Sequence, residues 1–334
     1  MQPWLEGLTL NQLKALAVLM GSPCSGTKKI RIAGIREAIA QATPHEKLDT
    51  GLSLLSIDMG IRNLAFTHIS APVVQGSDGA YQYGKPTIEA WRRLSVSDSQ
   101  KTPTTAKSGK SSIGNEGDES RSPIKAGKES FEPIDFAAHA YNFIDHILTK
   151  HKPNRILIER QRFRSSGQAA VQEWTLRVGV FEGMLYAALR SLAEERQLHL
   201  SVEPMLPDRV NRSWLKNFTL PEDGKGEKLN NVRMKQAKIR LVCEMLEETG
   251  TKSQFAVSKQ LQGFTKDFVA IRKKETKTGK SRSNGIGKLD DLSDSLLQGL
   301  AWINWQNNRV RLISLGKEAF DLPNTQNLDR HLST

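Results

Sequence analysis

The sequence predicts an α/β fold: a mixed five-stranded sheet with helices on both faces, preceded by a small helical module. Three observations lead there. Residues 51–70 read as two strands joined by a tight turn at Met59-Gly60, and 87–95 as a third, with no helix between them. From 132 onward helix and strand alternate, and that alternation implies parallel pairing within one sheet. Past Pro207 the remaining strong patterns are helical.

The elements follow in order. Leu8, Leu10, Leu13, Leu16 and Leu19 recur at helical spacing, and Gly21, Ser22 and Pro23 stop that helix. A second helix starts after Ser25-Gly26, with Lys28, Lys29 and Arg31 gathered at its beginning. Free backbone N–H groups there add to the side-chain charge, a combination suited to phosphate. A plain helical hairpin would carry the same leucines. The leucine pattern, the Leu13-Lys14 pair, Gly21 and the Ser25-Gly26-Thr27-Lys28 loop resemble the SAP motif, a short helix–loop–helix DNA binder. The resemblance makes 1–45 a SAP-like DNA-binding module.

The stretch "LLSIDMGIRNLAF", Leu54 to Phe66, sets one carboxylate, Asp58, at the end of an apolar run. From about Val96 to Ser130 the chain is Ser, Thr, Lys, Gly, Asp and Glu with almost no large apolar residue. Such a stretch cannot bury enough surface to fold, so 96–130 is expected to be a disordered insert. "EPIDFAAHAYNFIDHILTKHK" (132–152) reads as an amphipathic helix whose stripe is Ile134, Ala138, Tyr141, Ile144 and Leu148. "RILIE" (155–159) is a short buried strand that ends in Glu159. A long helix over 169–195 and a strand at 198–205 follow, then a short helix opened by Pro207 and a longer one at 229–249. Residues 272–288, basic and Gly/Ser-rich, read as mobile; 288–305 is the last clear helix, and 311–334 a C-terminal tail.

Composition narrows the function. The 334 residues carry a net charge of +12, which points to a polyanionic partner, nucleic acid ahead of an anionic membrane. The two cysteines, Cys24 and Cys243, belong to no CxxC or Cys/His cluster, which speaks against a disulfide framework or a structural zinc site. No apolar run reaches the roughly 18 residues of a membrane span. The N-terminus shows neither a signal-peptide core nor an Arg-rich transit start, so no organelle address is readable.

The acids are the chemical signal. Asp58 ends the first strand and Glu159 the fourth, and in α/β sheets functional groups collect where parallel strands terminate. On the last helix, at about 100° per residue, Leu289, Leu292, Leu296, Leu300 and Ile303 share one stripe, and Asp290, Asp291 and Asp294 lie opposite it. Each acid alone has an ordinary explanation: a turn residue, a surface ion pair, a favourable first helical turn. Together they would form one site if the first and fourth strands are neighbours. Two carboxylates about 4 Å apart repel by roughly 4 kcal/mol at an effective dielectric of 20. Either some stay protonated or a hard divalent cation neutralises them. Two Mg²⁺ ions about 3.5–4 Å apart are suited to hydrolysing a phosphodiester.

"SIDMGIRNLAF", "ILIERQRFRSSG" and "KLDDLSDSLLQG", in this order, resemble the fungal mitochondrial Holliday-junction resolvases, relatives of bacterial RuvC on the RNase H-like fold. The resemblance covers about 51–307. It implies an RNase H-like nuclease domain at 51–310 and a homodimeric endonuclease, dependent on two Mg²⁺ or Mn²⁺ ions per site. Such an enzyme makes symmetric paired nicks across a four-way DNA junction, with no small-molecule cofactor, no membrane and a mitochondrial location. It makes Asp58, Glu159, Asp291 and Asp294 catalytic metal ligands, with Asp290 as an alternative to Asp291. Arg160, Gln161, Arg162, Phe163 and Arg164 then face the junction, the arginines on phosphate and Phe163 stacked on a base. Lys273 and Lys274 open a basic stretch suited to the outer arms, and Lys28 and Lys29 add the module's contacts. Two other readings use the same residues: a nuclease for RNA or RNA–DNA hybrids, and a junction-binding protein without catalysis.

Overall fold

The computed structural model describes residues 2–42, 51–76, 79–95, 132–161, 173–215, 231–278 and 289–321, with backbone alone for 251, 274–278, 320 and 321. The expected insert at 96–130, and Arg162, Phe163 and Arg164, lie outside the described residues.

Two helices come first, α1 (Leu10–Leu19) and α2 (Lys28–Ala40). Thr9 and Gln12 close a reciprocal capping box at the start of α1, and the Thr27 side chain accepts from Ile30 N–H at the start of α2. β1 (Leu52–Asp58) and β2 (Leu64–Ala71) follow, then a small hairpin of β3 (Val73–Gln75) and β4 (Tyr81–Tyr83), then β5 (Thr87–Leu94). The alternating part is α3 (Pro133–His151), β6 (Arg155–Glu159), α4 (Glu173–Glu195) and β7 (Ser201–Met205). It is followed by α5 (Pro207–Leu215), α6 (Asn231–Glu247), β8 (Ala256–Val257), α7 (Gln262–Thr278), α8 (Leu289–Leu315) and the short α9 (Glu318–Asp321).

The sheet order is β7-β6-β1-β2-β5-β8. Its first five members are the five strands the sequence predicts; β8 is a two-residue edge addition, too short to leave a periodic signal. β2 is antiparallel to both β1 and β5, and β6 is parallel to both β1 and β7. β1 lies centrally, which is why "LLSI" is apolar on both faces. One face packs under α3 and α4 through Leu55, Ile57, Ile156 and Ile158. The other packs under α8 through Leu54, Ile69 and Leu157, with α5, α6 and α7 completing that layer.

Four features differ from the sequence reading. The buried face of α3 is Phe136, His139, Ala140, Phe143, Ile144, Ile147 and Leu148, whereas Ile134 and Tyr141 are exposed. Phe136, edge-on to Phe181, and Phe143, tilted against Phe66, set the rotation of the helix. The basic stretch expected to be mobile from 272 is helical through Thr278 at the end of α7. α8 continues to Leu315, past the expected domain end at 310, so the tail begins as helix.

The fourth concerns the N-terminal pair, which packs against the end of α8. Leu312 of α8 shares a core with Leu5, Leu13, Leu16, Ile32 and Ile35. The last carbonyls of α1, which have no partner inside the helix, are capped from α5 and α8. Asn308 donates to Leu19 O at 2.8 Å, Arg309 Nη2 to Met20 O at 2.8 Å and Arg209 Nη1 to Gly21 O at 3.1 Å. Gly21 has φ +66°, and a Cβ there would sit 2.3 Å from the Trp305 ring. The stop signal read from Gly21 is therefore also a docking surface.

Candidate active site

Register brings the two strand-end acids together. β1 and β6 pair Ile57 with Ile158, so one step further Asp58 stands beside Glu159, at the roughly 4.8 Å spacing of neighbouring strands. Alternation fixes their direction. Leu54 and Leu157 face α8, and Asp58 and Glu159 have the same parity. Glu159 Oε2 accepts from Met59 N–H at 3.3 Å, and its carboxyl group is hydrogen-bonded to that of Asp58. Burial, followed by the charge of Glu159 and then of Asp294 and Asp291, pushes Asp58 well above the usual carboxylate range.

α8 brings the remaining acids over the sheet. Gln298 Nε2 donates to Ser56 Oγ and to Ile57 O, both at 3.1 Å, and Ser295 and Thr67 share a hydroxyl bond of 2.9 Å. Gly299 lets the helix approach: a Cβ there would lie 2.6 Å from Ile69 Cδ1 and 3.2 Å from Ser56 Cβ. Trp91 and Trp214 each donate an indole N–H to a carbonyl of α8, Leu292 O and Leu297 O, at 2.9 Å. One helical turn before Gln298 comes Asp294, about 6 Å along the helix axis. That matches the step from Ser56 to Asp58 along β1, so Asp294 overhangs the Asp58–Glu159 pair.

Two lysines of α6 divide this set. Lys235 Nζ bonds Asp290 Oδ2 at 2.5 Å, and Lys238 Nζ bonds Asp294 Oδ1. Lys238 is buried. Burial raises Asp294 to about 6 even though the Lys238 ammonium pulls it down; the charges of Glu159 and Asp290 add to the rise. Among the described residues no three His, Cys, Asp or Glu side chains stand together as a metal-ready group, because Asp294 and Asp290 are turned toward lysines. The donor chemistry still suits a hard divalent cation. Every candidate ligand is a carboxylate, and the Asp58 and Glu159 side chains stand side by side at the strand ends.

The other expected site residues scatter. Arg160 and Gln161 follow Glu159 directly; Arg160 N–H bonds Met205 O, and Gln161 N–H bonds Glu182 Oε2 at 3.1 Å. Glu182 is itself pushed up, chiefly by burial. Lys28 Nζ donates to Glu6 O at 2.6 Å within its own module, and Lys29 is exposed. The module docks near Asn308, about 20 Å along α8 from Asp294 at 1.5 Å per residue. Lys273 pairs with Glu247 at 2.6 Å, and the Lys274 side chain lies outside the described residues. Sequence reasoning missed Lys235, Lys238, Glu182 and Gln298. Only Gln298 left a signal: with Ser295, it is a polar residue in a helix otherwise rich in leucine and tryptophan.

Comparisons with known proteins place the chain in a family. Residues 54–312 match the family model described as mitochondrial resolvase Ydc2 / RNA splicing MRS1. The chain is 29% identical over 186 residues to the mitochondrial cruciform cutting endonuclease 1 of Schizosaccharomyces pombe, an alignment that covers 53% of this chain and 60% of that protein. It is 22% identical over 326 residues to the protein of the same name from Saccharomyces cerevisiae, covering 91% of this chain and 84% of the relative. The crystal structure of the yeast mitochondrial Holliday junction resolvase Ydc2 superposes with a TM-score of 0.51 at 22% identity, over 90% of this chain and 95% of that one. The fold is shared.

Proposed function

Because the chain belongs to the family described as mitochondrial resolvase Ydc2 / RNA splicing MRS1, we propose that it is a metal-dependent endonuclease resolving four-way DNA junctions by paired nicks. The observation that carries this reading is the register that sets Asp58 beside Glu159 beneath Asp294. A family description that joins resolution to RNA splicing does not choose between them; a complete acidic set favours cleavage. The names of both curated relatives, cruciform cutting endonucleases of mitochondria, support junction DNA as substrate and the mitochondrion as location.

In this account Asp58 and Glu159 form the floor of the site, and Asp294 and Asp291 close it from α8, as ligands for two Mg²⁺ or Mn²⁺ ions. Held by these carboxylates, a divalent ion would supply a water of lowered pKa and a charge to offset that building on the phosphodiester. The protein's own part is placement. Gln298 and Ser295 tie the aspartate helix to the sheet, and the apolar layers on both sides keep the carboxylates fixed. Arg160 and the basic residues after it hold the phosphate backbone that the acids alone would repel. The docked helical pair carries Lys28 and Lys29 to a second stretch of duplex, as a SAP-like extension about one duplex width from the site. Two opposed nicks need two sites, so the active form is a homodimer; the exposed Leu176 and Val180 on α4 support an apolar contact between copies.

The test is one cleavage series with Mg²⁺ on a four-way junction, a linear duplex, a flap and an RNA–DNA hybrid. Preferential, symmetric cutting of the junction is expected. Preferential cutting of the hybrid would move the assignment to an RNA-directed nuclease, and binding of the junction without any cutting would make the chain a junction-binding protein.

A further inference from the structure

α6 presents an amphipathic face of Ala237, Val242, Cys243 and Met245 to the core beside α8. Lys238 lies on this buried side, with its side chain only 11% exposed. A buried ammonium is costly unless a carboxylate meets it, and an apolar residue would fill the same position without that cost. The partner Lys238 meets is Asp294, the acid that would otherwise complete the pair made by Asp58 and Glu159.

We propose that Lys238 is a positioning residue that competes with a divalent cation for Asp294. Its ammonium holds the Asp294 carboxylate on the α6 side of the site, so that the four acids do not converge until an ion displaces it. The competition lowers the affinity of the DNA-free protein for metal, and the ammonium offsets part of the acids' mutual repulsion when no metal is bound. The inference rests on the metal-dependent reading above. It adds that one built-in cation sets the threshold for loading.

The test uses the full chain without DNA, at one fixed pH. Mn²⁺ binding is followed by titration calorimetry for wild type, Lys238→Gln and Lys238→Arg, with a thermal melt in EDTA for each. Removing the competing charge in Lys238→Gln should tighten Mn²⁺ binding on the order of tenfold, the scale of one largely buried ion pair. It should also lower the melting point in EDTA. Lys238→Arg, which keeps the charge, should stay near wild type. Unchanged or weaker Mn²⁺ binding by Lys238→Gln would overturn the proposal. A second readout needs no variant: Lys238 in the wild-type chain should be acylated faster by an activated ester when Mn²⁺ is present, as read by peptide mass. Equal labelling with and without Mn²⁺ would also overturn it. Wild-type protein that takes up no Mn²⁺ would instead remove the metal site on which the proposal rests.

Discussion

Replacing Gly299 by alanine should separate folding from catalysis. A Cβ at this position would lie 2.6 Å from Ile69 Cδ1 and 3.2 Å from Ser56 Cβ. Ile69 and Ser56 are both fully buried, so neither can swing into solvent. Overpacking of this kind costs about 1–3 kcal/mol, while alanine in place of glycine inside a helix returns about 1 kcal/mol. The net loss of stability is therefore about 0–2 kcal/mol, and the protein stays folded. Catalysis is less tolerant. The clash is relieved by α8 lifting off β1, and Asp294 stands little more than one helical turn away on the same helix. A displacement approaching 1 Å costs about 100-fold in rate, so a loss of about 10- to 100-fold is expected. Urea unfolding in EDTA gives the first quantity, and single-turnover cleavage of a labelled four-way junction in Mg²⁺ gives the second. Gly263→Ala, where a Cβ meets nothing within 4 Å, is the control. If Gly299→Ala cleaves at the wild-type rate, the close approach of α8 to β1 does not position the acids.

Three further outcomes follow from the geometry. Asp294 is raised to about 6 in the folded protein, so its contribution to stability is present below its ordinary pKa of 3.8 and is lost as pH rises through about 6. Wild type should accordingly lose stability relative to Asp294→Asn over that window in EDTA. The comparison with the variant matters because His151, lowered to about 4 chiefly by burial, acts in the opposite direction and costs stability as pH falls from 6.5. Gly21→Ala combines an unfavourable φ of +66° with a Cβ 2.3 Å from the Trp305 ring; it should speed proteolysis between α1 and α2 while the nuclease core, followed by hydrogen exchange in β1 and β6, stays protected. Junction binding should weaken about 10³-fold between 50 and 200 mM salt if about six phosphates are contacted, and Lys28→Ala with Lys29→Ala should make that dependence shallower.

Much of the fold was legible because burial on both sides of a central strand leaves an unbroken apolar run. "LLSID", interrupted only by the buried Ser56, and "RILIE" are close to such runs, and each ends in an acid of the proposed site. The leucine stripe of α8 was legible for the same reason: Leu289, Leu292, Leu296, Leu300 and Ile303 are all buried. What failed was phase and partnership. In α3 the apolar residues exceed one stripe, and tertiary packing of Phe136 and Phe143 chose the rotation. The sequence around Lys235 and Lys238 carries no signal that Lys238 is buried or that its counter-ion lies 56 positions later, at Asp294. The docking of α1 and α2 depends on side chains of Asn308, Arg309 and Arg209 reaching backbone carbonyls, and backbone acceptors carry no sequence signature at all.

The proposed chemistry requires carboxylates distant in sequence to act as one metal-binding unit on a phosphodiester. Asp58→Asn removes the charge of the most deeply buried of them and keeps its shape. Cleavage and binding of a four-way junction should be measured side by side in Mg²⁺. Loss of cutting with binding retained is the predicted result; cutting at the wild-type rate would contradict the account.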